Sequence, residues 1–232
     1  MIETAGRFFR CVCGRGAANS MNQPPLGYVV FDLDGTLLRS NSFHLWLVFL
    51  ISDMASPLRI RDRIALLGYI ASRAVKFIDH GTLKRLTMTL PGALSSLSAQ
   101  QFAERYLRPR LSNSCVRELR LHLARGKEVQ VILATAAPRC YSDAIAKCLG
   151  IAIVVATDFD DNGTFREMLR MKKAEAVRKI ATSAPITYAY TDHRDDLELL
   201  KLAAIKILVN PTPANLNAIQ RALAEEIQIL QD

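Results

Sequence analysis

Long apolar runs are missing from this chain of 232 residues. No stretch of eighteen apolar residues is free of charge. The longest candidate, Phe43 to Ile51, is too short to span a bilayer and is soon followed by Asp53 and Arg59. The expectation is a soluble, cytoplasmic protein, or one that at most touches the inner face of a membrane. Cysteine is sparse and poorly placed for a metal. Cys11, Cys13, Cys115, Cys140 and Cys148 make an odd number, and the lone C-x-C has no second cysteine or histidine pair nearby. That argues against structural zinc and fits reduced thiols. Residues 1–26 lack usable periodicity, and Phe8–Phe9 fall short of the apolar stretch a signal peptide needs. They read as a tail, with Met21 as an alternative start.

What is present is a chain half apolar, enough for one sizeable core or a core plus a smaller inserted module. Its positive charge is unevenly spread. Residues 39–128 hold fifteen Lys and Arg against six Asp and Glu, whereas the flanking segments are balanced to within one charge. Such a segment marks an anionic partner, whether substrate, membrane surface or nucleic acid, or else a set of ordinary solvated helix faces. It carries no recognisable nucleic-acid motif, so no nucleic acid is expected as partner.

Tyr28-Val-Val-Phe31 is a continuous apolar run closed by Asp32 and a turn at Gly35. Short apolar runs bounded by turn signals mark strands buried on both faces. The style returns at Val129 to Ala134, Ile151 to Ala156, Ile186 to Tyr190 and Ile205 to Val209. Helical stretches lie between or after them at Tyr141 to Leu149, Lys172 to Ala181 and Leu197 to Ala203. Strand alternating with helix predicts an α/β fold, a doubly wound parallel sheet of Rossmann-like type. From 39 to 126 no strand-like run occurs. Ser42 caps a helix through Ser52, and Pro57 starts a long one toward Asp79 that Gly81 breaks. Ser98 opens another through Tyr106, and Ser112 to Arg125 makes the last. The expected organisation is a tail of 1–26, a core of 27–38 and 127–232, and an all-helical insert of 39–126. The insert follows the first strand, and ligands in such sheets bind at the carboxyl ends of the strands.

Asp32-Leu33-Asp34-Gly35-Thr36 leaves that first strand. Two carboxylates two residues apart can both face one pocket there. One attacks phosphorus, and the other protonates the leaving oxygen and later activates water. Carboxylate and phosphate are both anionic, so a divalent cation is needed to bring them together. Alone, the pattern competes with an acidic cap and turn. Three further signals accompany it. Thr135 ends a second strand and can bond a phosphate oxygen beside the amides that open a helix, Ala136 first. Lys172 and Lys173 open a helix after an Asp160-to-Gly163 hairpin turn, and either can neutralise phosphate and nucleophile. Asp192 ends a fourth strand, followed by His193, Arg194, Asp195 and Asp196, as a hard oxygen ligand suited to Mg²⁺.

Four signals in this order resemble the motifs of the haloacid dehalogenase-like superfamily, over nearly all of Gly27 to Leu216. FDLDGTLL, VILATAAP, MKKAEAV and AYTDHRDDLELL, then VNPTPANL, are similar to its phosphoserine-phosphatase-like branch. The resemblance implies Asp32 as nucleophile and Asp34 as acid/base with its carbonyl on Mg²⁺. It implies Thr135 as the phosphate-binding hydroxyl, Lys173 rather than Lys172 as the lysine, Asp192 as metal carboxylate and Asp196 as its acidic support. The insert matches the family's cap, which closes over the site and sets specificity. Asn41 stands where phosphoserine phosphatases keep a cap glutamate, which speaks against phosphoserine, and Arg85 falls near their cap arginine. His193 replaces the small residue common after the metal aspartate, and either narrows the pocket or points to solvent. The apolar, arginine-rich insert also resembles the cap of phosphatidylglycerophosphatase C-type enzymes. Trp46 and Phe49 would then face a phosphorylated lipid, the alternative being a cap with its own core. The reading is a Mg²⁺-dependent phosphatase acting on a small organic phosphate or a phosphorylated lipid. The competing class is a nucleic-acid- or membrane-binding protein on a catalytically retired frame.

Overall fold

The computed structural model describes residues 25–223 and 226–232. Most of the expected tail, with Cys11 and Cys13, lies outside the described residues. The strands β1 (Gly27–Phe31), β2 (Val129–Pro138), β3 (Ile153–Phe159), β4 (Phe165–Arg166), β5 (Ile186–Thr191), β6 (Ala203–Val209) and β7 (Gln228–Leu230) form one sheet. Their order is β4-β3-β2-β1-β5-β6-β7. Every neighbouring pair is parallel except β3 with β4, the hairpin expected around Asp160 to Gly163. In the middle, Val30 pairs with Ile132 on one side and Ala189 on the other. The chain runs outward from β1 through β2 and β3, then returns to the far side with β5 and β6. That reversal places a crevice at the carboxyl end of β1, the usual ligand position in an open α/β sheet.

β1 is buried along its whole length, which is why its sequence shows no polar alternation. Val29 and Phe31 join one apolar cluster and Tyr28 and Val30 another, one for each face. The second face is covered by α7 (Met171–Ile180), α8 (Leu197–Leu200) and α9 (Pro213–Ala222). The first meets α6 (Arg139–Leu149) and the insert.

The insert holds α1 (Ser42–Ser52), α2 (Ile60–Ala74), α3 (His80–Met88), α4 (Ser96–Phe102) and α5 (Asn113–Leu123). Several local expectations shift. Asn41, not Ser42, caps α1, its Oδ1 accepting the His44 N–H at 3.0 Å. Gly81 does not break a helix. It lies in the first turn of α3, capped by Asp79, whose Oδ1 accepts the Thr82 N–H at 2.6 Å. The interruption comes earlier, where Lys76 takes a φ of 60°. α2 starts at Ile60 rather than Pro57, and α4 starts at Ser96 and winds into a π turn, Ala103–Leu107. α8 is only four residues long, because β6 already begins at Ala203.

The insert has no core separate from the sheet. Trp46, Phe49 and Phe102 belong to the same cluster as Val29 and Phe31. Trp46 and Phe102 both pack on Tyr141 of α6, with ring centroids 5.4 and 5.2 Å away. Trp46 and Phe49 are 1% and 0% exposed, so the expectation that they face a lipid fails. Packed inside, both rings are already out of water without any membrane. Among the apolar residues of the insert that do face outward are Ile60, Ile64 and Leu67 along α2, with Met54, Val75 and Phe77 beside its ends. No helix among the described residues is long and apolar enough to cross a membrane.

Candidate active site

Asp32 leaves β1 with its N–H donating to the Tyr190 carbonyl at 2.9 Å, so pairing with β5 continues one residue beyond the strand. The side chain is buried, and Oδ1 accepts from Lys173 Nζ at 2.8 Å. Lys173 lies in the first turn of α7 and also bonds Asp196 Oδ1 at 2.7 Å. Asp196 in turn accepts from the Thr191 hydroxyl at 2.7 Å. Of the two lysines only Lys173 is turned inward; Lys172 is exposed.

Asp34 Oδ1 accepts the Ser42 N–H at 2.9 Å, at the N-terminus of α1. The two aspartates thus have different surroundings: Asp32 is tied to an ammonium, Asp34 to a helix-end amide. Between them and Asp192, Gly35 has a φ of +76°, and a Cβ there would lie 2.3 Å from Asp192 Oδ2. Only glycine allows the β1 turn to close on that carboxylate. Asn215 of α9 donates to the Asp192 carbonyl at 3.2 Å. The Thr135 hydroxyl is buried within β2 and accepts the Ala137 N–H at 3.1 Å.

Asp32, Asp34, Asn41, Thr135, Ala136, Lys173, Asp192 and Asp196 all line one cavity of about 410 Å³. Eight of the nine expected site residues are therefore brought together. Arg85 is not: it is exposed on α3 and does not line the cavity, because its neighbour Lys84 takes the inward side of the helix. Asn41 lines the cavity with its Oδ1 committed to the cap of α1. His193 also lines it, but its Nδ1 accepts the Asp195 N–H at 3.1 Å, so it fixes the turn after β5 while remaining exposed. The expectations left out Ser40, Leu169 and Asp195 from the lining, and Arg39, which pairs with Asp232. Arg39 stands two residues before Asn41 in sequence, which is the signal that could have found it.

The electrostatics are those of crowded carboxylates. Burial pushes Asp32 up; Lys173 opposes this, while Asp196 and Asp192 add to it. Burial likewise raises Asp34 against the hydrogen bond from Ser42, and lifts Asp192 to about 6. Burial works to lower Lys173, but Asp196 and Asp32 outweigh it and hold the ammonium charged. Three carboxylates, Asp32, Asp192 and Asp196, thus face a single buried ammonium. Buried charges need compensation, so the pocket fits one further cation. Among the described residues no three acidic, histidine or cysteine side chains form a ready metal cage. Two carboxylates and the Asp34 carbonyl are nevertheless a set of hard oxygens such as Mg²⁺ takes, since it uses few protein ligands and keeps waters.

The sequence matches the family model of the haloacid dehalogenase-like hydrolases over residues 29–201. Geometry and match agree, and the chain belongs to that family. No curated protein matches the sequence. Among solved structures, a protein of unknown function from Bordetella pertussis Tohama I is similar at TM-score 0.71 and 23% identity, covering 89% of this chain and 98% of that one. A HAD family hydrolase from Salmonella enterica subsp. enterica serovar Typhi is similar at TM-score 0.58 and 12% identity, covering 89% and 67%. A substrate-bound phosphoserine phosphatase is similar at TM-score 0.53 and 14% identity, covering 89% and 94%. At these identities the likeness is one of fold: an α/β hydrolase with the architecture of the phosphoserine phosphatases.

Proposed function

We propose that this hydrolase cleaves phosphomonoesters through a phosphoryl group carried transiently on Asp32. One observation carries the reading. Asp32 and Asp34 share a cavity with Thr135, yet only Asp32 is paired to the buried ammonium of Lys173. Environments that differ in this way separate a nucleophile from an acid. The Asp32 carboxylate attacks phosphorus as the ester P–O bond breaks, and Asp34, held up by burial, gives its proton to the departing oxygen. Asp34 then takes a proton from water, the water oxygen attacks phosphorus, and the Asp32 carboxylate leaves. The Thr135 hydroxyl, the following amides and Lys173 hold the phosphate oxygens throughout. Asp32, Asp192 and the Asp34 carbonyl would hold Mg²⁺, which supplies the positive charge that lets two anions meet.

The organic part of the substrate meets Arg39, Ser40, Asn41 and His193, a polar lining that suits a small phosphate ester. A phosphorylated lipid has one observation in its favour, the outward Ile60, Ile64 and Leu67 of α2 with Arg61 beside them. A screen of sugar, amino-acid, nucleotide and lipid phosphates with Mg²⁺ separates the two. Asp32→Asn is expected to abolish turnover of every active substrate, because an amide does not attack phosphorus at a useful rate. Chelation is expected to do the same and Mg²⁺ to restore it. Activity retained in Asp32→Asn, or in full under EDTA, defeats this mechanism.

A further inference from the structure

Lys84 is a lysine of the insert buried to 3% exposure, outside the catalytic cavity and without a role in the chemistry above. Its Nζ donates to the Ala136 carbonyl at 2.8 Å and to Glu167 Oε1 at 2.6 Å. The same Ala136 carbonyl accepts the Thr157 hydroxyl of β3 at 2.7 Å. Two donors, one from the insert and one from the sheet, therefore fix the Ala136–Ala137 peptide. That peptide unit includes the N–H that meets the Thr135 hydroxyl, directly at the proposed phosphate seat. Burying a lysine to reach one backbone oxygen is costly unless its charge is balanced, and Glu167 balances it.

The rest of the helix is shaped around this contact. Gly81, one turn earlier on α3, leaves room for Glu167: a Cβ there would lie 2.8 Å from Oε2. The Phe43 ring centroid is 5.8 Å from the ammonium. Trp46 and Phe102, seated on Tyr141, hold the insert against the core, so Lys84 arrives at a fixed position.

We infer that Lys84 is a positioning residue that sets the Thr135–Ala137 stretch of β2 for phosphate, so the seat is complete only when the insert is docked on the sheet. This rests on the phosphatase reading for its meaning, but not for its test. Lys84 does not line the cavity that holds Asp32, and it reaches Asp34 through charge alone, which works against burial to lower that carboxyl's pKa. Its loss acts on how the phosphate is held and leaves the order of bond making intact.

The experiment compares wild type, Lys84→Met, Lys84→Arg and Glu167→Gln as full chains. Inorganic phosphate binding is measured by calorimetry with Mg²⁺ present, alongside p-nitrophenyl phosphate kinetics and thermal unfolding. Lys84→Met is expected to weaken phosphate binding and raise KM together, by about tenfold, with a smaller fall in kcat. Lys84→Arg, which keeps charge and donors, is expected to recover most of both. Glu167→Gln keeps the Ala136 contact and is expected to fall between wild type and Lys84→Met. A Lys84→Met chain that melts earlier but binds phosphate as wild type does overturns the proposal. If Lys84→Met does not fold, equal phosphate affinities in Lys84→Arg, Glu167→Gln and wild type overturn it. Wild type that binds phosphate yet hydrolyses no monoester defeats the phosphatase reading alone, and the binding comparison still decides for Lys84.

Discussion

His122, at the end of α5, is buried against the sheet with its Nε2 at 2.9 Å from the Tyr190 hydroxyl. Tyr190 stacks at 4.2 Å on Phe31, the residue before Asp32. Burial lowers the His122 pKa; Glu118 pulls it up and Arg125 pushes it further down. The folded protein thus holds this imidazole neutral where the unfolded chain would protonate it. Stability from this group is full above the unfolded value of 6.5 and is lost as pH falls below it, until the folded pKa is passed. His122→Gln keeps a partner for Tyr190 without titrating. Its stability is expected to depend less on pH below 6.5, with a slope reduced by at most about 1.4 kcal/mol per pH unit. Urea midpoints of both chains from pH 5 to 8 check this, and parallel curves would rule it out. Residue chemistry of this kind leaves no motif in the sequence, because a core histidine is defined by neighbours distant along the chain.

At the scale of elements, the insert works as part of the core. Trp46→Ser and Phe49→Ser each remove a ring from the cluster shared with β1, at a cost of about 3–5 kcal/mol, as for other large-to-small core truncations. The expected result is a lower melting temperature with small-phosphate and lipid-phosphate activity falling together. A selective loss on the lipid substrate would show instead that these rings contact lipid. The sheet is legible in the sequence, since strands buried on both faces announce themselves as apolar runs such as Tyr28 to Phe31. So are Asp32, Asp34, Lys173 and Asp192, because each stands at a strand or helix end where a polar residue interrupts that pattern. Thr135, expected to end its strand, instead lies inside β2, which runs on to Pro138 before a helix opens at Arg139. The insert was legible only as helical. Which side of a helix turns inward depends on what it packs against, and α3 turns Lys84 rather than Arg85 toward the core. The Asn41 cap of α1 was missed for a related reason. Asn and Ser both cap well, and the choice falls on Asn41 because the Ser42 hydroxyl is turned inward to Tyr141 while Asn41 Oδ1 reaches the His44 N–H.

At the scale of the whole molecule, the position of the insert separates the central strand from both of its partners. Tyr28 pairs with Gln130 on one side and Ile186 on the other, so β1 is an early segment that finds its neighbours about a hundred and more residues later. Contacts this distant form slowly, because the intervening chain must be ordered before they bring any gain. The helices of the insert need only local contacts to begin. Refolding is therefore expected to protect amides of α1 to α5 before the Asp32 N–H that bonds the Tyr190 carbonyl. Pulse-labelled hydrogen exchange reads this order directly, and protection of β1 ahead of the insert would refute it. Until that pairing closes, β1 is a bare apolar edge carrying Asp32 at its end, the kind of segment that joins foreign strands. Catalytic competence and escape from aggregation are then reached in the same late step, which makes recovered activity a clock for the most hazardous stage of folding.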